Sequence, residues 1–233
     1  MALGGGGCQD GDMDDMDLKG FSGRVRLFPL PGVVMFPHVV APLHIFEPRY
    51  RRMTADALEG DRLIATVGLT GGDGPTPPVE PVGCLGRIIH HERLADGRYN
   101  LLLLGRKRVR LVREILDPDR PYRVAEAVVI EDEPRSAPDG PEARRSLIQS
   151  FRQAIGAAAE IDDEFFRLLE SAESLGALAD IMAHSLPIHG AQKQRLLAEP
   201  DVHARVGLLL RWIAEMTPTL PLGRTFPPPF SSN

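Results

Sequence analysis

Seven histidines, two cysteines and several acidic clusters are the side chains of this 233-residue chain that could hold a metal or move a proton. Their spacing argues against both. His90 and His91 are adjacent, so in a strand they face opposite sides and do not share one ligand easily. His184 and His189 flank Pro187 with no cysteine or carboxylate at ligand spacing, and His38 and His44 sit among apolar residues. Each reads as a hydrogen-bonded structural histidine. Asp162-Asp163-Glu164 stands just before Phe165-Phe166, where carboxylates favour a helix N-terminus. Cys8 and Cys84 form neither a disulfide framework nor a metal spacing, and Cys84 reads as a small buried apolar residue. Gly71 to Pro78 is glycine-rich, but no Lys-Ser/Thr follows and no helix pattern begins, so a loop is expected rather than a phosphate cradle. The lysines, Lys19, Lys107 and Lys193, follow no P-loop pattern. No catalytic residue, metal or cofactor is expected, and the chain reads as no enzyme.

One charged cluster remains. Arg106, Lys107, Arg108, Arg110 and Arg113 put five cations into nine positions of a strand pattern, three of them expected on one face. The plain reading is a solvated outer face or a protected edge strand, where cations discourage edge pairing. The alternative is a strip that meets RNA or an acidic peptide. No aromatic stacking series lies beside it, which counts against single-stranded recognition.

The elements that position these residues follow from apolar period and from proline. Arg24 to Met53 alternates three short apolar clusters with Pro29, Pro31, Pro37 and Pro42, so short extended pieces are expected there. Pro48 opens a helix whose face is Tyr50, Met53, Ala57 and Leu58, and Gly60 closes it. Leu63, Ala65, Val67 and Leu69 alternate as a half-buried strand. Val82–Arg93 and Tyr99–Leu116 flank Asp96-Gly97, a hairpin signal. Leu101 to Leu104 is a run short enough for a strand buried on both faces, with Gly105 as a bulge. Val124 to Ile130 is one more strand. Glu131 to Gly140 turns acidic and proline-rich, and beyond it the period is helical. Leu147, Ile148, Phe151 and Ile155 form one stripe, and Phe165, Leu168 and Leu169 another. Ser174 and Asp201 are placed to cap two further helices. A strand-rich half followed by a helical half makes the fold α+β.

Charge and hydropathy narrow the function. Five aspartates against Lys19 place four of the five net negative charges within residues 1–23, so the remainder is near neutral, unlike a strongly electrostatic nucleic-acid binder. Residues 1–23 read as a disordered acidic tail, 24–133 as the β-rich part, 141–217 as the helical part and 218–233 as a Pro-rich tail with Phe226 and Phe230. No apolar run approaches the ~20 residues of a membrane span. The N-terminus has no basic flank and apolar core of a secretory signal, so a cytoplasmic location is expected.

Leu27-Phe28-Pro29-Leu30, Val34-Met35-Phe36-Pro37, Pro42 to Glu47 and Arg49 to Met53, in that order and spacing, resemble the opening of the Lon protease N-terminal (substrate-binding) domain family. Val82 to Ile88 and Asp96 to Gly105 extend the resemblance, with Cys84 where the family usually has Thr. Ala177 to Pro187, Gln192 to Gln194 and Leu196-Leu197 resemble its helical half. The resemblance implies a PUA-like, mostly antiparallel β-barrel containing one helix, joined to a C-terminal α-helical bundle. It also implies a non-catalytic protein that binds exposed segments of unfolded or client polypeptides, as an adaptor in protein quality control with a protease or chaperone partner. The site implied is the groove between the halves and the opening loops, with Phe36, Pro37, His38, Phe46 and Tyr50 as candidate contacts. Phe46 and Tyr50 are assigned to the core, and the Pro37-His38 loop to the surface. RNA is the alternative partner, since some PUA-like folds bind it.

Overall fold

The computed structural model describes residues 18, 20–71, 74, 76–133, 141–156 and 163–216. The remainder of both terminal segments, including Phe226 and Phe230, and Asp162 of the acidic trio lie outside the described residues. Six strands, β1 (Arg24–Pro29), β2 (Val40–Ile45), β3 (Leu63–Val67), β4 (Val82–Arg93), β5 (Tyr99–Ile115) and β6 (Val124–Ile130), form one sheet in the order β2-β5-β4-β3-β1-β6. Only β1 and β3 run parallel; the other pairings are antiparallel. β6 also pairs with β5, so the hydrogen-bonding path β5-β4-β3-β1-β6 returns to its start. Length makes this possible. The first part of the 17-residue β5 takes β2 on one side, its last part takes β6 on that same side, and β4 runs along the other.

Helix α1 (Pro48–Glu59) follows β2 and buries Tyr50, Met53, Thr54 and Ala57, with proline in its first turn as the sequence requires. Gly60 has φ −115°, and the left-handed residue at this exit is Arg62, at φ +60°. The second half of the chain is α2 (Pro141–Gly156), α3 (Asp163–Glu170), α4 (Leu175–Ser185), α5 (Gly190–Ala198) and α6 (Val202–Met216). Ser174 accepts from the Ala177 N–H to cap α4, and Asp201 accepts from the N–H groups of His203 and Ala204 to cap α6. The fold is mixed α+β.

Two cores result. Val25, Leu27, Leu63, Ala65, Val67, Leu85, Val109, Ala125 and Ala127 form one, drawn from the closed set of strands alone. The other is larger and continuous across both halves: Phe36, Met53, Ile88, Leu101 and Leu103 share it with Leu147, Phe151, Leu178, Leu209 and Trp212. Fully burying one such side chain contributes about 1.5–3 kcal/mol, so the helical half is held largely by this shared interior.

Several expectations change. β3 is buried along its whole length rather than on one face, because Ile64 and Thr66 meet the larger core and the Cys84 carbonyl while the alternate residues fill the smaller one. Val33 to Phe36 forms no strand; it is an irregular segment whose Met35, Phe36 and Pro37 are buried. On α3, Phe165, Phe166 and Leu169 face inward and Leu168 faces out. Leu18 and Phe21 pack against the smaller core, and the Gly23 carbonyl accepts from the Ala127 N–H, so residues ahead of Arg24 contribute to the packed body.

The segment Leu30–Val39 is seated where Gly105 lies. His38 N donates to the Gly105 carbonyl at 2.9 Å and Gly105 N donates to the Val39 carbonyl at 2.8 Å. The pairing with β4 skips Arg106, which puts the expected bulge beside this glycine. A Cβ at Gly105 would stand 2.1 Å from the Phe36 carbonyl oxygen. Because that obstacle is backbone, Gly105→Ala is expected to cost about 2–4 kcal/mol through overpacking. An unchanged midpoint in urea denaturation would show that the segment is not pressed against β5.

Candidate functional site

β2, β5 and β4 lie side by side over their facing stretches, and their registers fix what each sheet surface carries. Ala41, Leu103 and Ile88 align across the three strands and are buried in the larger core. One residue along, Val40, Leu104 and Arg87 align; then come Pro42, Leu102 and His90, followed by His44, Asn100 and Glu92. These rows point outward. Leu102 and Leu104 are half-buried and lie outside both cores, and Val40 is 37% exposed. Leu101 to Leu104 is therefore not buried on both faces, as expected from its continuous apolar run. Its even-numbered leucines carry an outward apolar row.

The rim of this face is aromatic and polar. Phe46 is 49% exposed and stacks on His44 with ring centroids 6.3 Å apart. Asn100 donates to Glu92, which turns its carbonyl oxygen toward His44 Nδ1 at 2.7 Å. His44 Nδ1–H then donates to Asn100 and Nε2 accepts from Arg98 at 3.2 Å. On β4 a register shift makes Ile89 an extra residue, also exposed. The arrangement offers apolar area bordered by oriented hydrogen-bonding groups. It is suited to holding an apolar side chain.

The five peptide-contact candidates separate. Phe36, Pro37 and Tyr50 are interior; Tyr50 packs edge-on against Phe28 with centroids 4.7 Å apart, and burial raises its pKa. His38 is exposed at φ +63°, and Phe46 is on the surface rather than in the core. Val40, Pro42, Leu102 and Leu104 stand with Phe46 on the outward face. Their signal was the pairing of a Pro-bearing strand with an apolar run, which becomes readable only with the register.

The basic strip does not assemble. Arg108 is 3% exposed and points into the junction between the halves, where its Nη1 donates to Asp180 Oδ2 at 2.9 Å, Nη2 donates to Asp180 Oδ1 and Nε donates to the Leu197 carbonyl at 3.0 Å. Lys107 pairs with Glu131 and Arg113 pairs with Glu126, while Arg106 is half-buried and Arg110 exposed. The expected row of cations is broken by the bulge at Arg106 and by the partner that Arg108 finds on α4.

That partner belongs to a network. Arg205 of α6 makes a bidentate contact with Asp132, at 2.8 and 2.7 Å, and also donates to the Glu199 carbonyl. Arg108 reaches Asp132 at 3.4 Å. Asp180 and Arg205 are each 1% exposed. Two guanidinium groups thus meet two carboxylates from β5, α4, α6 and the segment after β6. Burial by itself would depress the Arg108 pKa, but the Asp180 and Asp132 carboxylates reverse this and leave it raised. Burial also opposes the charge on Asp132, and Arg205 and Arg108 overcome it to hold the carboxyl below its ordinary value, with His38 adding to the effect.

Beside the network, Gln194 donates to the Val82 carbonyl and Lys193 to the His184 carbonyl. Burial and then the charge of Lys193 push His184 down to about 4, against a hydrogen bond with the Val34 backbone. Burial pushes Lys193 down to about 8. Cys84 is a free, buried thiol whose pKa is raised by burial, as its apolar reading implies. Among the described residues, no group of three His, Cys, Asp or Glu side chains is placed to hold a metal ion, and no helix is long and apolar enough to cross a membrane.

The chain thus pairs an outward apolar sheet face with a packed helical half. Residues 24–215 match the model of the ATP-dependent protease La (LON) substrate-binding domain, and the chain belongs to that family. It is 28% identical over 187 residues to the Lon protease of Xanthomonas oryzae pv. oryzae, covering 79% of this chain and 22% of that protein. It is 29% identical over 208 residues to Lon protease 2 of Sorangium cellulosum, covering 84% and 25%. The chain thus spans about a quarter of the length of these relatives, and the matching family model is that of the substrate-binding domain. The Lon N-terminal domain protein from Xanthomonas campestris superposes with a TM-score of 0.58 at 25% identity, covering 81% of this chain and 98% of that one. The N-terminal domain of Mycobacterium avium complex Lon protease, at 17% identity, shares the fold with a TM-score of 0.63 over 82% and 98%.

Two measurements test the junction. Arg108→Met leaves Asp180 without its bidentate partner and is expected to cost about 3–5 kcal/mol, whereas Arg108→Met with Asp180→Leu retains the Arg205–Asp132 pair and recovers most of that loss. Equal destabilisation of the single and double variants in chemical denaturation would refute the coupling. The second concerns His184. Between its ordinary 6.5 and about 4, the unfolded chain binds a proton that the folded ring refuses, so stability falls as the pH drops through that window. His184→Gln is expected to flatten the thermal-stability profile there; an unchanged profile would place the ring in solvent.

Proposed function

We propose that the chain binds exposed apolar segments of unfolded client polypeptides on the outward face of β2, β5 and β4, and acts in the cytoplasm as an adaptor in protein quality control that hands clients to a protease or chaperone. The observation that carries this reading is the position of Leu102 and Leu104, set with Val40 and Pro42 on a surface that neither core uses. Single exposed apolar residues are ordinary, but a contiguous patch rimmed by polar groups marks a contact surface. Membership of the substrate-binding domain family supports the same reading. In finer detail we read the closed strand path as a PUA-like β-barrel, residues 141–217 as a helical bundle and 24–133 as the β-rich subdomain. The chain itself performs no catalysis in this account. The basic strip on which an RNA-binding role would rest is dispersed by Arg108's burial and by the ion pairs of Lys107 and Arg113, so RNA is not preferred.

The test is a titration of a permanently unfolded apolar client at two salt concentrations. Val40→Glu with Leu102→Glu is expected to weaken binding about tenfold or more, because each charge occupies surface the client would dehydrate. Apolar contact is not screened, so wild-type affinity should change little between about 50 and 200 mM salt. Salt-sensitive binding that persists in the double variant would refute the site.

A further inference from the structure

Arg144, Ile148 and Arg152 recur at every fourth residue of α2, so they share one helix face. With Arg145, Gln149 and Glu170 of α3 they line a cleft of about 500 Å³. Three guanidinium groups face one carboxylate there. Each arginine is oriented by a contact of its own: Arg144 donates to the Ala172 carbonyl at 2.7 Å, Arg145 donates to the Pro141 carbonyl at 3.1 Å, and Arg152 lies over the Phe166 ring at 4.3 Å. The Arg152–Glu170 pair is long, 3.7 Å, between side chains more than half exposed, and such a pair contributes little. A ligand carboxylate can displace it.

The spacing specifies the ligand. Arg144 and Arg152 are about 12 Å apart along the helix axis, with Ile148 midway. In an extended peptide, residues i, i+2 and i+4 line one face over about 13 Å. We propose that this cleft is a second recognition site, separate from the apolar sheet face, for an extended segment of the pattern acidic-x-apolar-x-acidic. The two carboxylates meet the arginines at either end, in the planar two-pronged geometry that guanidinium groups favour, and the apolar side chain covers Ile148. A nucleic acid fits less well: it requires a continuing track of cations, whereas this cleft has an apolar centre and a carboxylate wall on a chain of net charge −5.

The probe is a fluorescein-labelled Gly-Ser-Glu-Ser-Leu-Ser-Glu-Ser-Gly peptide, titrated with the full chain and followed by anisotropy. It is expected to bind at least about tenfold more tightly than the same peptide with Gln for both Glu residues, and more tightly than one with the two Glu residues adjacent. Arg144→Glu with Arg152→Glu should lose the acidic peptide by a similar factor and gain binding to the peptide with Lys for both Glu residues. The Val40→Glu, Leu102→Glu variant should bind the acidic peptide as wild type does, which keeps failure here distinct from failure of the apolar face. Equal affinity of wild type for the Glu and Gln peptides would overturn the proposal even if the arginine variant did not fold. Tighter binding of an oligouridylate through the same arginines would overturn it in favour of RNA.

Discussion

The contact on which the arrangement of the two halves depends is the buried meeting of Arg108 with Asp180, extended by Arg205 and Asp132. A charge this far from water is tolerated only when paired and hydrogen-bonded, and removing one partner costs more than the intact pair contributes. The network therefore acts chiefly on geometry. The apolar interior between the halves would accept many small slides of one on the other, but two guanidinium forks and two carboxylates satisfy one another in far fewer. Arg108 also donates to the Leu197 carbonyl at the end of α5, so the strand-borne charge orients the last three helices together.

The length of β5 distributes the consequences. Its central residues carry Arg108 into the junction and receive the Leu30–Val39 segment at Gly105. Its first residues hold β2 in register, and this presents Val40 and Pro42 beside Leu104 and Leu102. The outward apolar face and the anchor between the halves thus share one strand, only four residues apart between Leu104 and Arg108. The sheet face needs no element of the helical half to complete it, whereas the orientation of the helical half relies on that strand. Carrying these side chains on a paired strand also keeps them in fixed rows, more accurately than a loop would.

Much of this fold was legible from local rules. The Asp96-Gly97 hairpin, the Pro48 start of α1, and the Ser174 and Asp201 caps were readable because each depends on a few neighbouring residues and on backbone geometry that the residue types dictate. The site was less so. Phe46 was expected in the core because an aromatic residue in an apolar run ordinarily packs there, and Leu101 to Leu104 because a continuous run has no period to read. Locally Arg108 is indistinguishable from the cations around it, since nothing near it in sequence reveals a carboxylate 72 positions later.

What the sequence by itself determined was most of the elements, several of their caps and turns, and the family whose motifs they carry, because these are encoded in short-range periodicity and spacing. Which leucine of a run faces out, and which arginine of a cluster is buried, was decided only by tertiary structure. A strand's side chains alternate, so one residue of register exchanges its inner and outer faces, and the register of β5 is set by its partners β2, β4 and β6. The placement of a buried charge likewise depends on a counter-charge supplied from the other half, and a local sequence pattern contains neither the partner nor the distance to it.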